Sequence, residues 1–372
     1  MNYQINSWPR SALISALALS VTVGVSSTSI AHEGVDHEPD AVNAYAHGPV
    51  GVMGDHTHAT GEVMFSYRFK RMEMSGNRDG NNSLGDNTIV TTVPNRFFGA
   101  PGQPPTLRIV PDEMSMEMHM VGAMYAPSDI VTLMVMGMYM EKEMTLTTFA
   151  GGAGTTVRGQ FVTSASGLGD TSVAALVRLE EGEGYQIHAN LGLSLPTGSI
   201  TETGQILAPN GATPTVRLPY TMQLGSGTYD FKPGLTYNGY DANLGWGAQW
   251  QSTVRLGENG QGYSLGDSHE LNGWVAYQFQ PWISVSGRLN ARSDGKIDGI
   301  DTFISGPVQT ADPDNYGGKR LDASIGVNLV AQEGYLRGHR LAVEFGAPVY
   351  ENLNGPQMET DYWFTVGWQK AF

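Results

Sequence analysis

The chain has 372 residues, 15% charged and 40% hydrophobic, with 48 Gly, no Cys and a net charge of −15. The absence of Cys excludes a disulfide scaffold, a thiol nucleophile and any Cys-ligated metal, and the acidic balance excludes nucleic-acid binding through a basic face. Few charges against the roughly 25% usual in soluble domains, abundant Gly and no repeated apolar 20-mers leave an outer-membrane β-barrel as the leading fold.

Arg10 is the only charged residue before Glu33, and it precedes an apolar stretch over 12–25. Ser29 and Ala31 then supply the small −3 and −1 residues of a cleavage site. This three-part layout predicts a secretory signal peptide over 1–31, since the apolar run is too short to span a membrane. Residues 32–61 read as a His-containing periplasmic segment, and 62–372 as the barrel.

Beyond residue 61 the chain alternates apolar and polar residues in segments of about ten, as barrel strands do between lipid and lumen. Leu244, Trp246, Ala248, Trp250, Val254 and Leu256 face one way, and Asn243, Gln249, Gln251, Thr253 and Arg255 the other. Leu321, Ala323, Ile325, Val327 and Leu329 alternate with Asp322, Ser324 and Asn328. Twelve strands are predicted, over 62–72, 114–126, 130–140, 170–180, 185–194, 229–238, 243–256, 268–279, 282–292, 319–331, 338–348 and 360–372. Their connections alternate long and short, which matches long extracellular loops and short periplasmic turns and has no counterpart in a soluble sandwich. The predicted fold is therefore an all-β, antiparallel up-and-down transmembrane barrel with both termini in the periplasm. Aromatic residues near strand ends, among them Tyr125, Tyr139, Tyr237, Trp282 and Tyr362, fit interfacial girdles. The last strand stops on Phe372, like an outer-membrane assembly signal, although Lys370 stands where that signal usually has an apolar residue.

Alternation also assigns a lumen. Arg68, Lys70, Arg178, Lys232, Arg255, Arg288, Arg292, Arg320 and Arg340 are expected to point inward, with Glu62, Glu117, Asp230, Glu270, Asp322 and Glu344. Pairing is expected between Asp230 and Lys232 and between Arg320 and Asp322. Arg288 and Arg292 lack a sequence-local acid and are the candidates for contacting an anionic solute.

Fourteen of the 17 methionines lie between Met53 and Met144. On 130–140 the apolar Val131, Leu133, Val135 and Tyr139 suggest a lipid face, which sends Met134, Met136, Met138 and Met140 inward. On 114–126 the polar Ser115, Glu117 and His119 suggest the lumen face, which sends that strand's methionines outward. A four-residue turn over 126–129 then places Glu117 and His119 opposite Met136 and Met138. Methionine suits adaptable hydrophobic surfaces and also ligates Cu(I). Five of the nine histidines lie at the N-terminal side, including His56 and His58. His56, His58 and His119 are therefore the metal candidates, with copper as the alternative cofactor reading. No G-x-S-x-G, H-E-x-x-H or phosphate-loop motif occurs, and neither His188 nor His269 has an evident catalytic partner, so no enzyme is expected.

Several strings carry a family resemblance: Gly51-Val52-Met53-Gly54-Asp55-His56, residues 66–74 with 76–80, and Met116-Glu117-Met118-His119-Met120 running to Tyr125-Ala126-Pro127-Ser128-Asp129. Residues 193–200, 224–230, 338–341 and 354–357 are others. Together they resemble the outer-membrane transporter-like family named for the meta-pathway of phenol degradation, over nearly the whole mature chain. The resemblance implies a barrel that passes small hydrophobic or aromatic solutes, and it carries over no motif residue with a binding role. The expected partners are outer-membrane lipids and lipopolysaccharide, the outer-membrane assembly machinery and a small-molecule solute, in the outer membrane of a Gram-negative bacterium.

Overall fold

The computed structural model describes residues 43–372; the expected signal peptide lies outside the described residues. Eleven strand elements form one antiparallel sheet. They are β1 (Val63–Gly80), β2 (Ile109–Tyr125), β3 (Val131–Phe149), β4 (Thr171–Gly182), β5 (Tyr185–Leu195), β6 (Asp230–Asp241), β7 (Leu244–Arg255), β8 (Ser268–Gln280), β9 (Ile283–Asp294), β10 (Gly318–Val330) and β11 (Arg340–Ala371). Each strand pairs with its neighbours in sequence, and β11 returns to β1, with Met64 opposite Ala371 and Lys70 opposite Thr365, so the sheet closes into a barrel.

The last element serves as two staves. Its first half pairs with β10 from Arg340 opposite Val330 to Leu353 opposite Gly318, and its second half pairs with β1. Phe345 stacks on Tyr362 across the fold-back, and Gly355 takes the left-handed conformation near its tip, at φ +71°. The expected twelve staves are thus present, the final two as one continuous hairpin.

Connections alternate as expected. Residues 126–130, 183–184, 242–243, 281–282 and 331–339 turn at one end, and 81–108, 150–170, 196–229, 256–267 and 295–317 arch over the other. Closure removes every sheet edge from contact with lipid, the condition for spanning a bilayer with strands. Two further strands of the same sheet lie outside the closed path. Asn82–Leu84 pairs with the outer end of β1, and Val157–Leu168 pairs with the outer half of β3 where β4 has stopped. Arg108 is fully buried and donates to the carbonyls of Ala150, Gly151 and Gly154, so its five N–H groups hold two long loops together without an acid.

The outward face is apolar. Val121, Leu133, Val135, Leu191, Leu235, Leu271, Val275 and Ile325 are exposed, as are Tyr139, Tyr237 and Tyr362, while Tyr125 and Trp282 are exposed at the short-turn end, where girdle residues belong. Leu235, at the middle of β6, is 46% exposed. Leu235→Arg should therefore lower folding stability in a bilayer by about 2–4 kcal/mol, read from urea titration of folding into lipid vesicles. The same substitution in a water-facing strand would cost far less.

Candidate functional site

Residues 43–62 do not stand apart from the barrel; they cross its bore at the short-turn end. Their backbone is held by strands all round the wall. The Ala44 amide donates to Pro281 O, and Ser284 Oγ donates to Ala44 O. Gln249 Nε2 donates to Met53 O at 2.9 Å, His188 Nε2 lies 2.9 Å from Gly54 O, and the Asn238 amide donates to Asp55 O. The His58 amide donates to Thr132 Oγ1, and the Gly61 amide to Ala126 O. The plug has no regular secondary structure, so its N–H and C=O groups need these side-chain partners once water is excluded. Gly51 packs closely: a Cβ there would stand 2.5 Å from Arg288 Nη2 and Glu344 Oε2, so a side chain would displace the tips of that ion pair. Gly54 is required by its backbone, at φ +63°.

The wall charges are paired and pinned. Glu344, 1% exposed, accepts from Arg288 Nε at 2.7 Å, from Ser324 Oγ at 2.6 Å and from the Gly51 amide at 2.7 Å. Arg288 also donates to Asn272 Oδ1 and lies over the Trp363 ring. Arg292 pairs with Asp294 at 2.8 Å and with Glu270 at 3.4 Å. Neither arginine is a free anion contact, which corrects the expectation from sequence: Glu344 lies two strands from Arg288, Glu270 one strand from Arg292, and Asp294 just past the predicted strand end. Arg320 pairs with Asp322 as expected, but Asp230 pairs with Arg255 rather than Lys232. Arg340 donates to the carbonyls of Ala44 and His47. Arg178 meets Thr57 and Glu181. Arg68 is buried beside the plug, and the Lys70 ammonium lies 5.1 Å from the centre of the Trp363 ring.

The methionine strands require a second correction. β2 pairs with β3 as Met118 opposite Met140, Met120 opposite Met138 and Met124 opposite Met134. Partners therefore share parity and face, unlike the pairing that a four-residue turn would give. Val121 and Tyr125 are exposed while Met114, Met120 and Met124 are buried, so the methionines of β2 point inward. Glu117 and His119 point outward. Glu117 pairs with Arg71 at 2.6 Å on the outer face, and His119 Nδ1 lies 2.8 Å from Tyr67 Oη. Both leave the set of pore-lining candidates, and His119 leaves the metal candidates, while Met136 and Met138 face the interior.

The result is a methionine wall. Met53, Met64, Met124, Met134 and Met136 line a small cavity against the plug. Above it Met138, Met118 and Met140 lead to Met114 and Met144. There they join Leu146, Leu218, Tyr220, Met222, Leu224 and Tyr263, contributed partly by loops folded down into the outer mouth. Lys142 fastens this cover by donating to the carbonyls of Thr221 and Gln223. His269 does have a partner, Ser252 Oγ at 2.7 Å, but the pair has no carboxylate among its described hydrogen bonds.

Within the plug, His58 Nδ1 lies 3.1 Å from Glu62 Oε2 and its ring packs edge-on against His56. Burial pushes the His58 imidazole down to about 4, reinforced by the charge of His56 and opposed by Glu62 and Asp55. Burial likewise holds His47 well below its ordinary value. A free histidine takes its proton near pH 6.5, so docking is fully favoured above that pH and weakens as pH falls toward 4. Hydrogen-exchange protection of the amides over 51–58 should therefore decline between pH 7 and pH 5. Unchanged protection would show that these imidazoles do not oppose undocking.

Comparison with known proteins agrees with this architecture. An outer membrane channel from Pseudomonas putida F1, of the COG4313 group, is similar over 86% of this chain and 98% of its own, at 12% identity and a TM-score of 0.53. Looser likenesses are a monoaromatic hydrocarbon channel, the TodX deltaS2 mutant, and a FadL homologue from Pseudomonas aeruginosa. The first covers 85% of this chain and 91% of its own at 8% identity and TM-score 0.46, and the second 89% and 98% at 8% and 0.44. Curated proteins give no match. A family model described as "Putative MetA-pathway of phenol degradation" matches residues 120–345, more than half of the chain, and the protein belongs to that family.

Proposed function

We propose that this outer-membrane barrel is a gated channel for small hydrophobic solutes, aromatic compounds included, which move along the methionine wall. The observation that carries the reading is the continuity of that wall. Inward thioethers from β1, β2 and β3 run from the apolar cluster under the loops down to the plug. Flexible, polarisable side chains suit a surface that solutes of differing shape must cross, and sulfur also contacts aromatic rings favourably. The remaining wall carries ion pairs and amides, so an apolar solute has one compatible side. The plug lies at the inner end of this path, which makes its displacement the gating step. Export through the cleaved 1–31 segment, insertion guided by the strand ending at Phe372 and packing against lipopolysaccharide complete the proposal.

The reading is tested by solute flux into liposomes holding the purified barrel. Met118→Lys with Met138→Lys places two charges on the wall without touching the plug. The uptake of a monoaromatic hydrocarbon should fall by about tenfold or more, the factor that a barrier of 1.4 kcal/mol imposes. Unchanged uptake in a correctly folded variant would exclude the wall as the path.

A further inference from the structure

We propose that the plug contains a binding site for a single divalent transition-metal ion of the zinc and copper class, formed by His47, Asp55 and His56. His47 Nδ1 and His56 Nδ1 are 3.2 Å apart, and His56 Nδ1 is 2.9 Å from Asp55 Oδ1. Asp55 Oδ2 is 4.0 Å from His47 Nδ1. Donors on a tetrahedral zinc ion at about 2.0–2.1 Å stand ~3.3 Å from one another, so the two imidazole nitrogens already have ligand spacing, and the Asp55 carboxylate, which approaches each through a different oxygen, closes the set by a small rotation.

Their hydrogen-bond inventory is short of protons. His47 Nδ1 accepts from Gln369 Nε2 at 3.2 Å, so in that tautomer it carries no hydrogen of its own. One His56 Nδ1–H then has both His47 Nδ1 and Asp55 Oδ1 in reach. A cation would take all three groups as ligands once His56 carries its proton on Nε2 instead of Nδ1, with Gln369 giving up its contact. The rings meet edge to face, with centroids 4.1 Å apart. The cluster, with its three donor groups within 4.8 Å of one another, is the metal-capable group found among the described residues.

His56 Nε2 is buried with no hydrogen-bond partner among the described residues, so the ring of His56 is held through Nδ1, the atom that belongs to the donor set. The remaining Asp55 contact, the Gly48 amide donating to Oδ2 at 2.8 Å, orients the carboxylate as an outer partner of a metal ligand would be oriented. The neighbouring Arg340 and Arg68 oppose a cation and Asp55 offsets them, so the site needs the two neutral nitrogens to bind. Because His47 and His56 flank the turn that crosses the bore, a shared ion would staple the plug in its docked form. The site stands whatever solute the barrel passes.

The test is zinc titration of the purified full-length mature barrel by calorimetry, with Cu(II) electron paramagnetic resonance as a second probe. One equivalent should bind, the copper spectrum should show nitrogen ligation, and His47→Gln with His56→Gln should weaken zinc binding by at least ~10-fold. His119→Gln, on the outer face, should leave binding unchanged. Should the double variant fail to assemble, histidine modification of the unaltered protein decides the matter. Zinc should protect His47 and His56 from diethylpyrocarbonate while His119 reacts at the same rate. Absence of saturable zinc binding, binding insensitive to the double variant, or equal protection of His119 would overturn the proposal.

Discussion

Deleting residues 43–61 should give a barrel with discrete, long-lived open steps in planar bilayers, carrying about an order of magnitude more current than the full chain at equal protein. The plug's contacts reach β3, β5, β6, β7, β9 and β11, so no smaller movement leaves the bore clear. The wall should survive the deletion, because its closure rests on the β1–β11 ladder and not on the plug. The deletion also exposes Glu344, Asn190, Gln249 and Asn238 to water, which can replace the lost protein partners. Current equal to that of the full chain would mean that the loops over the outer mouth, rather than the plug, close the path.

Glu344→Ala should cost about 3–5 kcal/mol of stability, the range for removing one member of a buried pair, because it leaves Arg288 charged and buried. Glu344 accepts from a guanidinium, a hydroxyl and the Gly51 amide together. Its loss should therefore also loosen the plug at Gly51, and open steps should appear in bilayers alongside the lower unfolding midpoint. Adding Arg288→Met should recover part of the stability, since the unpaired charge rather than the missing contact carries most of the cost. Urea unfolding of the single and double variants measures both numbers. A change below 1 kcal/mol in the single variant would show that water reaches this pair.

Much of the barrel was legible because two independent signals agreed. Alternation such as Leu321–Leu329 gave strands, and the rhythm of long and short connections gave closure with termini on one side. The error on β2 has a local cause. Ser115, Glu117 and His119 are polar but lie on the outward face toward the outer end of the strand, where Glu117 pairs with Arg71 and His119 meets Tyr67. The usable signal was nearer the short turn, where Val121, Ala123 and Tyr125 share their parity. Reading faces from those residues would have sent the methionines inward.

The plug was illegible for a different reason. It has no periodicity, and its partners are single polar residues scattered over six strands. Its glycines at 48, 51 and 54 and its near absence of charge were the available hints of close packing. The ion pairs of Arg288 and Arg292 were missed because their acids lie on other strands or beyond the strand end, at separations that only the register reveals. The donor groups gathered around His56 are His47 and Asp55 rather than His119, a grouping set by the fold of the plug and not by spacing along the chain.

The central claim, an apolar path along the methionines of β1 to β3, is tested most directly by comparing two solutes of similar size. Liposomes carrying the barrel lacking residues 43–61 should take up a monoaromatic hydrocarbon faster, relative to protein-free liposomes, than they take up a neutral sugar. Charging the wall at Met118 and Met138 should abolish that preference. A sugar flux equal to or above the aromatic flux, unaffected by those two substitutions, would contradict the account and identify the barrel as a general polar pore.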